Sequence, residues 1–242
     1  MADQTPVTNS VAEANPLEIF DTLSKSIAFE DLSSPIQVAL FMGAMTLLTT
    51  AMVSITSFTR IVIVLSFVRR ALTVQEIPPN PTLIGFALFM TLFTMGPVLD
   101  QINAKAITPY LNSTEEEPFT ATQAIRASSS EMQQFMLKHT RKNDLLLFIK
   151  LSRTAAPKLP TDTKMRVLIP AFMISELKTA FIMGFCIYIP FILIDLLVST
   201  ILMSLGMMMM PPVVVSAPLK LMLFVLVDGW HLVAYVLGHG FI

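Results

Sequence analysis

Five charges stand inside otherwise apolar stretches of the chain: Glu176, Lys178, Asp195, Lys220 and Asp228. A charge facing hydrocarbon costs at least about 2.5 kcal/mol, so groups in such places pair, relay protons or ions, or set helix register. Glu176 and Lys178 are two residues apart and do not face each other on a helix. Each therefore needs a partner elsewhere, for example on a neighbouring subunit. Asp195 and Asp228 can answer Lys178 and Lys220. Assembly ion pairs are the first reading of these five groups, and a proton or ion relay is the second. A different chemistry is offered by LGMMMMPP, Leu205 to Pro212. Four thioethers, Met207, Met208, Met209 and Met210, lie between Gly206 and the Pro211–Pro212 pair, with no charge from Leu196 to Leu219. Methionine is unbranched and polarisable and repacks around irregular shapes. Gathered around an axis from several copies, such runs form a dry, soft collar that resists ions and yields to a passing chain. Within one chain they are core filling.

Catalytic chemistry is not indicated. His139 stands among charged residues, and His231 and His239 are eight apart, which is no metal-ligand spacing. The chain has no glycine-rich phosphate loop, zinc motif or nucleophile elbow. No enzymatic activity, metal or cofactor is expected. Cys186 is the one cysteine and lies in MGFCIYI, where a buried, inert thiol is expected.

The elements that must position these groups are apolar segments read in order. Residues 1–35 form an acidic, flexible lead with one short helix expected near Leu17 to Ala28. No apolar stretch follows a basic start there, so either a leader has been removed or the first apolar helix acts as the insertion signal. Residues 36–99 read as a first apolar helical hairpin. Its first arm, Ile36 to about Val68, carries no charge before Arg60 and exceeds the ~20 residues a bilayer needs. Its small residues, Gly43, Thr46, Thr50 and Ser54 among them, allow close helix approach. Arg69 and Arg70 then precede the turn QEIPPNP and favour a cytoplasmic side for it. The second arm, Thr82 to about Val98, is expected to end at Gly96–Pro97. Residues 100–166 hold many of the charges and read as a water-facing helical insert, with helices over Ala121 to Leu137 and Asp144 to Ser152. Residues 167–242 form a second apolar hairpin region around the methionine run. Pro170 and Pro190 are expected to interrupt its first arm, and Pro211–Pro212 to end it.

The chain of 242 residues is 54% hydrophobic and only 14% charged, where soluble domains carry about 25%. An integral membrane protein, or the core of a large apolar assembly, follows. A net charge of −1 leaves no electrostatic footprint for nucleic acid. Prolines and stranded charges make these segments better suited to burial against other protein than to simple spanning. The fold class is all-α: membrane-associated helical hairpins with Pro-broken apolar helices and a charged helical insert, in an oligomer.

Several long stretches carry a resemblance. RVLIPAFMISELKTAF (Arg166 to Phe181), LGMMMMPP, PLKLMLFVLVDGWHL (Pro218 to Leu232), SFTRIVIVLSFVRRAL (Ser57 to Leu72) and PPNPTLIGFALFMT (Pro78 to Thr91) are similar to the FliP family. That family is the flagellar member of a group that includes the SctR-type proteins of virulence type III secretion. The resemblance covers roughly residues 40–236. It implies a pore subunit of the flagellar type III export gate in the bacterial inner membrane and flagellar basal body. Several copies, five by the resemblance, would assemble helically with FliQ-like and FliR-like subunits, reaching toward the periplasm, and pass unfolded flagellar proteins. It maps the family's methionine-rich seal onto Met207 to Met210 and its buried charges onto Glu176, Lys178, Lys220 and Asp228. The rivals are the same part of an injectisome and a proton-coupled transporter using Asp195 and Asp228.

Overall fold

The computed structural model describes residues 34–72, 78–113, 119–152, 159–207 and 210–241. The helix expected near Leu17 to Ala28 lies outside them. The described elements are α1 (Ser34–Ile55), α2 (Phe58–Ala71), α3 (Asn80–Ile102), a π-helical turn (Asn103–Ile107), α4 (Thr108–Leu111), α5 (Ala121–His139), α6 (Lys142–Leu151), a 3₁₀ turn (Pro160–Asp162), α7 (Met165–Ser204), α8 (Pro212–Leu226) and α9 (Gly229–His239). The fold is all-α, with no strand among the described residues.

Two compact units divide the chain. The first holds the described residues up to 50 and those from 102 to 130; the second holds residues 51–101 and 131–241. In the first unit, the α1 threonines turn their hydroxyls onto their own helix, Thr46 to the Gly43 carbonyl at 2.8 Å and Thr50 to that of Thr46 at 2.8 Å. Their polarity is thereby satisfied without a neighbour, as an apolar setting requires.

The second unit is built on α2 against α7. Ile61, Val64, Leu65, Val68 and Ala71 recur at helical spacing and are buried with Leu168, Phe172 and Ala180 of α7. Each fully buried Leu or Ile removes enough apolar surface to contribute about 1.5–3 kcal/mol. Gly184 lets the helices meet: a Cβ there would lie 2.5 Å from the Phe67 ring. That ring is held edge-on by Phe181 and Tyr188, at centroid separations of 5.7 and 6.5 Å.

The structure corrects four expectations. The first apolar arm is two helices, broken at Thr56–Ser57. There the hydroxyls compete with the helical ladder. Thr56 Oγ1 accepts from the Phe58 N–H, the Thr59 hydroxyl reaches the Val53 carbonyl at 3.1 Å, and buried Ser57 bonds Thr94 at 2.7 Å. Pro97 does not end the second arm, because α3 runs on to Ile102. Pro170 and Pro190 likewise sit inside α7, which is 40 residues long. An internal proline costs ~3 kcal/mol, but a full break would expose several backbone donors and acceptors to an apolar medium, which costs more. Cys186 is exposed rather than buried, because it lies on a face of α7 that this chain alone does not cover.

Among the described residues, three helical runs are long and apolar enough to cross a membrane: Val38–Ile55, Asn80–Leu111 and Met165–Ser204. The pair α8–α9, bent by 62°, makes a fourth if counted as one span. At 1.5 Å per residue α7 is about 60 Å long, twice the ~30 Å hydrocarbon core.

Candidate functional site

Glu176 finds its partner in Arg60, which the sequence reading did not single out. The pair is bidentate: Arg60 Nε donates to Glu176 Oε2 at 2.6 Å, and Nη2 donates to Oε1. Both side chains are essentially buried, at 4% and 1% exposure. The remaining donor, Nη1, reaches the Gly240 carbonyl at 2.9 Å, and the guanidinium lies 3.8 Å over the Phe241 ring centroid. One arginine thus ties α2, α7 and the end of α9 together. The signal was present: Arg60 is the first charge in an apolar arm, the same criterion that picked out Glu176.

His139 packs at the edge of this knot. Its ring is 5.2 Å from Phe241 and 4.6 Å from Phe135, and Nδ1 is 2.8 Å from the Phe135 carbonyl. Burial lowers its pKa, and the nearby Arg60 adds to the effect. His139, Phe135, Phe241, Glu131, Phe93 and Pro97 are among the residues lining a cavity of about 750 Å³.

A second knot braces α7 against α8. Asp195 Oδ2 accepts from Lys220 Nζ at 2.5 Å, and Oδ1 accepts from the Ser216 hydroxyl at 2.7 Å. Lys220 and Ser216 are buried, whereas the Asp195 side chain is 38% exposed. Ser216 was not foreseen, since a serine in an apolar helix is common and gave no distinguishing mark. The structure brings together Asp195 and Lys220 but not Lys178 and Asp228. Those two are exposed, and their side chains make no bond within the described residues. Asp228 occupies the left-handed region, φ 50°, ψ 55°, at the bend between α8 and α9. Asp tolerates that conformation better than most residues. Its neighbour Gly229 is obligatory, since a Cβ there would meet the Phe224 ring at 2.2 Å.

The methionine run follows the end of α7. Gly206 has φ 74°; its N–H bonds the Met203 carbonyl at 3.1 Å, and the Met207 N–H bonds that of Leu202 at 3.0 Å. This is a Schellman closure, which needs a positive-φ residue at Gly206. The Met210 N–H returns to the Met207 carbonyl at 3.3 Å, Pro211 is extended, and α8 starts at Pro212. Met207 and Met210 are exposed, at 43% and 40%. Met208 and Met209 lie outside the described residues.

Comparison with known proteins places these features in a family. The model of the FliP family matches residues 41–237. The flagellar biosynthetic protein FliP of Bacillus subtilis (strain 168) is 44% identical over 212 residues, 88% of this chain and 94% of that protein. Its namesake from Caulobacter vibrioides is 47% identical over 208 residues, 85% of this chain and 77% of that protein. That from Aquifex aeolicus is 42% identical over 213 residues, 87% of each. A family match across most of the chain, with relatives this similar over most of their own length, means that the chain belongs to the FliP family.

Proposed function

We propose that this FliP-family chain, a subunit of the flagellar type III export gate, forms a pore with further copies of itself. In this reading Met207 to Met210 seal the pore at rest. FliQ-like and FliR-like subunits complete the gate, and unfolded flagellar proteins pass through it. The chain carries no chemistry of its own, and other parts of the machine supply the energy.

One observation carries the reading: Met207 and Met210 stand where the two arms of a braced hairpin meet. The Gly206 closure fixes the turn from one side and Pro211–Pro212 from the other. The Asp195–Lys220–Ser216 knot holds the two arms together behind it. Because Met207 and Met210 are exposed in the single chain, they are free to meet the same residues of neighbouring copies. Asp195, Lys220, Glu176 and Arg60 then act as braces within each copy. An Asp195 already bonded on both oxygens suits bracing better than carrying protons.

The length of α7 supports an assembly in the inner membrane that also projects out of it, since about half of a 60 Å helix has no room in the hydrocarbon. A periplasmic direction agrees with a cytoplasmic turn at Arg69 and Arg70.

Replacing Met207 to Met210 together by alanine tests the seal. The complex should keep its mass, while membranes containing it should pass small ions. Unchanged conductance in an intact complex removes the seal.

A further inference from the structure

We infer that Lys178 of one copy pairs with Asp228 of the next, so that these two charges mark the two halves of a copy-to-copy interface. The inference rests on the reading of the chain as one of several copies.

Lys178 stands on α7 with Ile174, Phe181 and Phe185, at helical spacing on the same face, and all of them are exposed. Asp228 stands at the bend before α9 beside exposed Val227 and Trp230. Among the described residues neither charge has a partner, although the other three charges flagged in the apolar stretches, Glu176, Asp195 and Lys220, are paired. Lipid does not suit such faces, because each charge would cost at least about 2.5 kcal/mol there. Water does not suit them either, because it would meet large aliphatic and aromatic side chains. A protein face that is apolar and carries one opposite charge suits both. The chain itself presents that pair of faces, one with an ammonium and one with a carboxylate.

Backbone conformation does not by itself account for the carboxylate. An asparagine would fill the left-handed position at Asp228 as well. Its negative charge needs a separate reason, and a facing lysine supplies it. The contact joins two different patches, so it is heterologous. Repetition then produces a closed ring or an open helical stack rather than a two-fold dimer.

The test measures the mass of the detergent-extracted complex from cells producing wild-type, Lys178→Gln, Asp228→Asn, or the exchanged Lys178→Asp/Asp228→Lys chain. Each neutral variant should reduce the recovered complex at least tenfold, and the exchange should restore most of it. Because lysine at this left-handed bend strains the fold, a second measurement uses co-expressed chains lacking Cys186. One carries Lys178→Cys and the other Asp228→Cys, and oxidation should link the two kinds to each other. Wild-type yield from both neutral variants overturns the pairing, as does the absence of the mixed disulfide. Linkage of either cysteine to a different subunit overturns the choice of a second copy as occupant. If the wild-type chain is extracted singly, the pore reading itself falls; if it forms an intact complex indifferent to both charges, only the pairing falls.

Discussion

Removing Arg60 alone should be more damaging than removing both halves of the Arg60–Glu176 pair. Glu176→Leu keeps much of the volume but leaves the guanidinium buried without a counter-charge. Arg60→Met leaves a buried carboxylate and also releases the Gly240 carbonyl and the Phe241 ring. Breaking a buried pair on one side costs about 3–5 kcal/mol. For Arg60→Met, the orphaned carbonyl adds about 1–3 kcal/mol and the lost cation–π contact about 1–2 kcal/mol. The double variant Arg60→Met/Glu176→Leu has no stranded charge, so only those smaller losses remain. The double variant should therefore be more stable than Arg60→Met, and because each single variant loses about 3–5 kcal/mol that the double does not, the coupling between the sites should be at least about 3 kcal/mol. Reversible unfolding in mixed detergent micelles, run as a double-mutant cycle, measures this. Additive losses, or single variants within about 1 kcal/mol of wild type, would refute the assignment of this pair as the clamp between α2, α7 and the end of α9.

Two further outcomes follow from the same packing. Gly184→Ala gains up to ~1 kcal/mol of helix propensity but pushes a methyl into a Phe67 ring already held by two aromatics, at about 1–3 kcal/mol. A net loss is expected in the micelle assay, with Gly43→Ala, where the added methyl meets open space, as the stabilised control. Burial lowers the His139 pKa, so it lies lower in the folded chain than in the unfolded one. Below about pH 6.5 the unfolded chain binds a proton that the folded chain refuses, and stability falls as the pH drops through that window. His139→Gln should flatten this part of the pH–stability curve, and an unchanged slope would refute the assignment.

Much of the fold was legible because helix spacing and turn chemistry are local. The expected helices Ala121 to Leu137 and Asp144 to Ser152 correspond to α5 and α6. The methionine run does sit between two helices, as paired prolines require. Prolines were over-weighted elsewhere. One missing N–H inside a long apolar helix is a smaller loss than the open backbone of a break, which is why Pro97, Pro170 and Pro190 are carried through. The opposite error occurred at Thr56–Ser57, where no proline or glycine marked a break made by hydroxyls. Ion-pair partners were the least legible. Arg60 and Glu176 are 116 residues apart, and only the tertiary fold says which cation answers which carboxylate.

The two knots constrain how the proposed seal can open. Glu176 and Asp195 are anchored about 28 Å apart on one continuous helix, by the 1.5 Å rise per residue. The nearer anchor is about 14 Å behind the last turn of α7. A collar that opened by swinging the hairpin arms apart would have to break the Asp195–Lys220 bond or pull Glu176 from Arg60, and the second is the costly step worked out above. Thioether side chains, each with three rotatable bonds, can clear a path without disturbing either knot. The residue type at the turn and the bracing behind it therefore answer the same demand. In the proposed gate the frame would stay fixed while the seal yields, and a stiff apolar residue such as leucine at Met207 to Met210 would hold back ions but obstruct the passing chain as well.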